Sequence, residues 1–326
     1  FMPISDIFPD AGITFWDVAH ETNGGLIADG YTRATGKMSM VIAQNGPGIT
    51  GLVTPIKTAY WNHTPLLLVT PQAANKTMGQ GGFQEVEQMN LFKDMVCYQE
   101  EVRDPSRMAE VLNRVIEKAI RGSAPAQINV PRDYWCQVID IELPPIVRLE
   151  RQGGGNDAIT KAADLLSKAK FPVILSGAGV VIGGAIDATK KIAEKLDSPV
   201  CSGYQHNDSF PGSHPLAVGP LGYNGSKAAM ELISKADVVL ALGTRLNPFS
   251  TLPGYGIDYW PKNANIIQVD INPDRIGLTK KVTVGISGDA KLVAEQILAK
   301  LSSNAGDNDR QARKDLIHQT KSAWLQ

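Results

Sequence analysis

Residues 172–202 read PVILSGAGVVIGGAIDATKKIAEKLDSPVCS. A short apolar run, Pro172–Ser176, meets a cluster of glycines; an amphipathic run, Ala185–Leu196, follows; a second short run, Pro199–Ser202, closes the stretch. Strand, glycine turn, helix and strand in that order form a crossover unit, because two parallel strands need a connection about as long as a helix between them.

The same grammar extends in both directions. Toward the C-terminus it predicts helices Ser226–Ala236 and Ala290–Leu301 with strands Val238–Leu242 and Ile266–Ile271, and just upstream a helix Asp157–Ala169. Toward the N-terminus it predicts strands Ile13–Val18, Met38–Ala43, Leu66–Thr70 and Gln127–Val130, with helices Glu21–Thr35, Ile49–Trp61 and Pro105–Arg121. Short apolar strands alternating with amphipathic helices give the α/β class, here as two doubly wound parallel-sheet domains. The stretch Pro131–Asn156, with Pro144-Pro145 and three glycines at 153–155, reads as a linker. The boundaries are therefore a first domain over 1–143, a linker over 144–156 and a second domain over 157–301. Residues 302–326 begin with SSNAGDNDRQ and continue as the helix-like KDLIHQTKSAWLQ, which reads as a linker toward a further domain. At the other end Phe1-Met2-Pro3 has neither a basic nor an apolar leader region, and a strand-like run follows almost at once. The chain reads as beginning inside a domain.

Composition narrows the function classes. Thirty-two basic against 33 acidic residues leave a net charge of -1 with no run of one sign, so neither a nucleic-acid nor a membrane surface is indicated. Cys97, Cys136 and Cys201 are far apart and form no CxxC pair, which argues against a disulfide framework or a zinc site and for a reducing, cytoplasmic compartment.

Ligands of open α/β sheets gather where strand ends meet helix starts, and three loops of the first domain sit there. In VAHETNGG, Glu21 stands at a helix start, where the plainer reading is a surface carboxylate complementing the helix dipole. QNGPG, Gln44–Gly48, is either an anion-holding turn or a plain tight turn. TPQAANKTMGQGGFQE, Thr70–Glu85, is long and glycine-rich, and loops of that length in a compact domain are usually functional. In the second domain GAGVVIGGA lacks GxGxxG spacing, and Ser202-Gly203 stands where a ribose-binding acid is expected; a structural turn is favoured there over a nicotinamide site. No HExxH or similar ligand pair occurs among the five histidines.

Taken in order and spacing, HETNGGLIADGYTRATGK, QNGPGITGLVTPIKTAYWNHTPLLLVTPQ, GGFQE and INVPRD resemble the pyrimidine-binding domain of thiamine-diphosphate enzymes of the acetohydroxyacid synthase and pyruvate oxidase group. GAGVVIGGA, FPGSHPLAVGPLGYNGSKAAM, LGTRL and IIQVDINPDRIG resemble that group's central, Rossmann-like domain. TAYWNHTP, MGQGGFQE, NVPRDYW, YQHNDSFP and GTRLNPFSTLPGYGIDYWP are most similar to acetyl-transferring members acting on sulfoacetaldehyde and phosphate.

The resemblance implies thiamine diphosphate and Mg²⁺ as cofactors. It makes Glu21 the carboxyl group that shares a proton with N1′ of the cofactor's pyrimidine and favours its imino tautomer, so that the cofactor's own imino group can take the C2 proton. It places Asn45, Gly46, Pro47, Gly48 and Phe83 along the cofactor and gives Gln84 a catalytic role toward the reacting carbon or phosphate; from the residues alone Gln84 serves equally as a helix cap. It implies a homodimer or homotetramer. Thr22 departs from the glutamine that follows the glutamate in many relatives, and Leu246-Asn247-Pro248 replaces an acidic run that flavin-binding relatives carry. Neither Gly288-Asp289-Ala290 nor Gly306-Asp307-Asn308 matches the GDG…N signature that holds diphosphate and metal, so the chain by itself is expected to be inactive. The remaining alternatives are an acetohydroxyacid synthase-like enzyme acting on pyruvate, a nucleotide-binding fragment without chemistry, and a structural or regulatory fragment.

Overall fold

The computed structural model describes residues 6–145, 150–307 and 309–325. The chain divides into two compact units, Phe1–Arg148 and Leu149–Gln326. Phe1-Met2-Pro3, residues 146–149 of the stretch read as a linker, and Asn308 lie outside the described residues.

The first unit runs α1 (Glu21–Thr35), β1 (Ser39–Ile42), α2 (Pro47–Thr50), α3 (Val53–Trp61), β2 (Leu66–Gln72), α4 (Gln88–Phe92), β3 (Tyr98–Glu101), α5 (Met108–Gly122) and β4 (Ala126–Pro131). Its sheet has the order β1-β2-β4-β3, and every pair is parallel. Every residue of β2 and β4 is buried, as expected of parallel strands covered on both faces. Ile49, Leu52, Ile56 and Phe92 belong to one apolar cluster with Leu66 and Leu68. Val111, Val115 and Ala119, four apart on α5, join Leu67, Val69 and Ile128 in another.

Three elements differ from the sequence reading. Ile13–Val18 is not a strand: Ile13, Phe15 and Trp16 are exposed, and no neighbouring strand offers them a ladder among the described residues. Apolar residues with strand propensity become a strand only where a partner exists. The expected helix Ile49–Trp61 is two helices, broken at Gly51-Leu52. Tyr98–Glu101 is a strand although it reads YQEE; a charged sequence on an edge strand discourages pairing with other chains.

The second unit runs α6 (Asn156–Lys168), β5 (Pro172–Ser176), α7 (Ala178–Ile182), α8 (Ile186–Leu196), β6 (Val200–Ser202), β7 (Ala217–Pro220), α9 (Lys227–Ile233), β8 (Val238–Leu242), β9 (Asn265–Asp270), β10 (Val284–Ser287), α10 (Ala290–Lys300) and α11 (Arg310–Leu325). The parallel sheet has the order β10-β9-β8-β5-β6-β7, so the winding direction reverses between β8 and β5. At that point the glycine turn is used for packing. Gly177 N donates to Leu242 O at 3.0 Å and Gly179 N to Gly243 O at 2.9 Å. A Cβ on Gly177 would stand 2.5 Å from Gly243 O, and one on Gly179 2.7 Å from Gly243 Cα.

The stretches read as linkers are partly docked. Arg151 pairs with Asp289 at 2.8 Å, and Gln296 Nε2 donates to Gly153 O at 2.7 Å. The described part of 302–326 packs on the rest of the second unit through Ile317 and Arg313, which are 3% and 2% exposed. The Arg313 guanidinium donates to the carbonyls of Lys170, Asp197, Leu196 and Gly306. Its composition is linker-like, but one buried cation gathers four carbonyls into a fixed joint. Asp289 is a helix cap, accepting from Lys291 N and Leu292 N at 3.0 and 3.1 Å.

Candidate functional site

All seven residues singled out for chemistry lie in the first unit, on α1, the turn after β1 and the loop after β2. Helix α1 starts after His20, whose extended backbone and ring form the cap: Nδ1 accepts from Thr22 N at 3.2 Å. That role requires a neutral ring with its proton on Nε2. The helix ends at Gly36 in the left-handed conformation, φ 70°.

Glu21, the first residue of α1, is half-buried and lies along the backbone of α2. A Cβ on Gly48 would stand 3.3 Å from Glu21 Oε1, and one on Gly51 would stand 3.5 Å from Oε2. The two glycines leave open the space that side chains would fill beside the carboxylate. Among the described residues no hydrogen bond or ion pair engages that carboxylate. An acceptor without a partner, against a cradle of bare backbone, fits a ligand that brings its own donor, as the protonated ring nitrogen of an aminopyrimidine does.

The turn 44–48 joins β1 to α2. Ile49 N donates to Gln44 O at 2.9 Å, and Pro47 occupies the first helical position, exposed. Its three leading residues all grip Gln84. Gln44 Nε2 donates to Gln84 Oε1 at 2.8 Å, and Asn45 Nδ2 donates to the Gln84 backbone carbonyl at 3.0 Å. A Cβ on Gly46 would fall 2.9 Å from Gln84 Cβ; Gly46 also has φ 77°, so glycine is required there on two counts. Gln84 itself is held at φ 62°, an uncommon conformation for a residue with a side chain.

The loop after β2 is fixed from its base. Gln72 Nε2 donates to Val86 O at 3.0 Å, and the fully buried Gln88 donates to Pro71 O at 2.7 Å. The Glu85 carboxylate accepts from Gly79 N at 2.6 Å and Gly82 N at 3.2 Å, drawing the glycine-rich tip back onto itself. Phe83 protrudes from that tip, 87% exposed. Gln84 caps no helix, since α4 begins only at Gln88. With its oxygen held by Gln44, Gln84 keeps both hydrogens of Nε2 for another acceptor.

The 44–48 turn thus meets Glu21 at Gly48 and Gln84 at Gly46, while Phe83, next to Gln84 in the chain, is largely exposed. Sequence reading missed Gln44, Glu85 and the function of Thr22. Gln44 stood inside the quoted turn, but only the fold shows that its amide reaches a residue 40 positions away. Among the described residues no group of three or more His, Cys, Asp or Glu is placed to hold a metal. No helix among them is long and apolar enough to cross a membrane.

Two family models match the chain: the thiamine pyrophosphate enzyme N-terminal TPP binding domain over residues 1–91, and the thiamine pyrophosphate enzyme central domain over 159–297. The first contains all seven site residues. The chain is 79% identical over 325 residues to the sulfoacetaldehyde acetyltransferase of Roseovarius nubinhibens, covering all of this chain and 54% of that protein. It is 77% identical over 325 residues to a probable sulfoacetaldehyde acetyltransferase of Rhizobium meliloti, covering all of this chain and 55% of that protein. A probable acetolactate synthase large subunit of Methanocaldococcus jannaschii is 35% identical over 308 residues, with 92% of this chain and 52% of that protein covered. The chain spans about half the length of the curated relatives it matches.

Proposed function

The chain belongs to the thiamine pyrophosphate enzymes, and from that membership we propose that it supplies the cofactor-activating part of an acyltransferase converting sulfoacetaldehyde and phosphate into acetyl phosphate and sulfite. The observation that carries this reading is the Glu21 carboxylate, without a hydrogen-bond or ion-pair partner among the described residues and laid against the bare backbone of Gly48 and Gly51 inside the matched TPP-binding region. When bound, thiamine diphosphate supplies a carbon nucleophile at C2 of its thiazolium ring. Glu21 holds the proton shared with N1′ of the pyrimidine, and Gly46, Pro47 and Gly48 offer backbone against which flat rings can lie. Asn45 works indirectly, because its amide is spent on the Gln84 carbonyl. Gln84 presents Nε2–H to an oxygen of the substrate or of phosphate. A neutral amide stabilises developing negative charge there without burying a charge of its own. Phe83, exposed on the loop tip, would face the reacting carbon of the bound cofactor.

Mg²⁺ and the diphosphate would be held mainly by residues other than those described; Asp289, in the Gly288-Asp289-Ala290 stretch, caps α10 and pairs with Arg151 instead. The active unit is a homodimer or homotetramer: Leu26, Ile27 and Tyr31 make the outer face of α1 apolar, a surface that a second copy would cover. Its place of action is the cytoplasm, in keeping with unpaired cysteines.

The test is turnover by the full-length protein. Acetyl phosphate and sulfite formed from sulfoacetaldehyde plus phosphate, with pyruvate inert, supports the reading. Condensation of pyruvate without turnover of sulfoacetaldehyde would replace it with an acetohydroxyacid synthase-like activity.

A further inference from the structure

The break between α2 and α3 leaves a backbone carbonyl without its ordinary partner. In a continuous helix Gly51 O would accept from the amide four residues on, but that residue is Pro55, which has no N–H. The next carbonyl, Leu52 O, is served normally by Ile56 N at 3.0 Å. Gly51 O is served from another element: Thr22 Oγ1, on the first turn of α1, donates to it at 2.6 Å.

The proline that creates the vacancy also docks the helix that fills it. A Cβ on Gly25 would stand 2.5 Å from Pro55 Cγ, so only glycine permits this approach of α1 to α3. Glu21 lies between these two fastenings and the His20 cap, next in sequence to Thr22. Its carboxylate runs beside Gly51, the residue whose carbonyl Thr22 holds.

We infer that Thr22 is a positioning residue for Glu21: its hydroxyl replaces the amide hydrogen that Pro55 lacks and thereby sets the start of α1, and with it the Glu21 carboxylate, in register with the backbone of Gly48 and Gly51. The inference rests on the proposed role of Glu21 and adds to it the reason for threonine beside that residue. Side-chain shape alone would allow valine; the hydroxyl is the essential part.

Four variants of the full-length protein separate the possibilities. Thr22→Val keeps the shape and removes the donor, and Thr22→Ser keeps the donor. Thr22→Val with Pro55→Ala returns a backbone N–H to Gly51 O without restoring the tie between helices, and Glu21→Gln is the control for the carboxylate itself. In cofactor-free protein, amide exchange in the peptide covering Glu21–Gly25 should rise about 10-fold in Thr22→Val and in the double variant and stay at the parental rate in Thr22→Ser, because the His20 cap and the close approach of Gly25 to α3 remain in all three and the tie remains only in Thr22→Ser. With thiamine diphosphate bound, exchange of the cofactor's C2 proton should slow about 10-fold in the same two variants, a usual result of misplacing a reacting group by a fraction of an ångström. The double variant should recover the thermal midpoint lost by Thr22→Val, since its carbonyl is again satisfied. Parental C2 exchange in Thr22→Val while Glu21→Gln is slow would overturn the inference and leave the role of Glu21 standing. Parental C2 exchange in the double variant would overturn it as well, showing that the hydroxyl merely satisfies a carbonyl. Parental exchange in Glu21→Gln would overturn both.

Discussion

Gln44 Nε2 donates to Gln84 Oε1 at 2.8 Å, and the two residues stand 40 positions apart on the turn after β1 and the loop after β2. The bond orients an amide: with its oxygen taken, Gln84 turns its N–H hydrogens to whatever lies beyond the loop. Gln84→Ala is therefore expected to leave C2 exchange of bound thiamine diphosphate close to the parental rate. Acetyl phosphate formation should fall roughly 10- to 1000-fold, the range for losing one preorganised donor. Both rates are measured on one preparation. A parallel fall would make Gln84 a residue that seats the cofactor.

Gly46 is the hinge of that arrangement. Gly46→Ala adds a Cβ that would meet Gln84 Cβ at 2.9 Å on a backbone already at φ 77°. Strain of this kind costs on the order of 1–3 kcal/mol. Urea denaturation of the variant should show that loss, and product formation should fall with it because Gln84 is displaced.

How much of this was legible in the sequence depends on whether a residue's partner lies nearby in the chain. Pro172–Ser176 and Val238–Leu242 are apolar runs that match the observed strands residue for residue, since each is too short for a buried helix and rich in β-branched residues or bounded by glycine. Tyr98–Glu101 escaped because an edge strand carries charge. Ile13–Val18 misled because propensity says nothing of whether a partner strand is present. Glu21 and the 44–48 turn could be singled out by position and resemblance. Thr22 meeting a carbonyl 29 residues away, vacated by a proline, exists only once the helices are packed.

Arg313 offers a test of the docked C-terminal segment. It is 2% exposed and donates to four backbone carbonyls, and desolvation pushes its pKa below the ordinary arginine value. Arg313→Met keeps much of the volume and leaves those acceptors bare, at a cost of about 1–3 kcal/mol for each that water cannot reach. A fall in thermal midpoint of several degrees is expected, together with faster proteolysis within 302–325. An unchanged midpoint would mean that the segment contributes nothing to the second unit.

The reversal point between β8 and β5 bears on flavin. Its turn amides at Gly177 and Gly179 already donate to Leu242 O and Gly243 O, and Leu246-Asn247-Pro248 offers no acidic group. The full-length protein should purify without stoichiometric flavin, checked by its absorption near 450 nm. A one-to-one yellow chromophore would contradict this.

The central claim is that Glu21 activates the cofactor, and hydrogen–deuterium exchange at C2 of thiamine diphosphate bound to the full-length protein measures that step before any substrate enters. Glu21→Gln keeps the size of the side chain and its place beside Gly48 and Gly51 but cannot share a proton in the same way. Exchange should slow by about 100-fold or more, the scale of losing one acid–base group. Exchange at the parental rate would contradict the account.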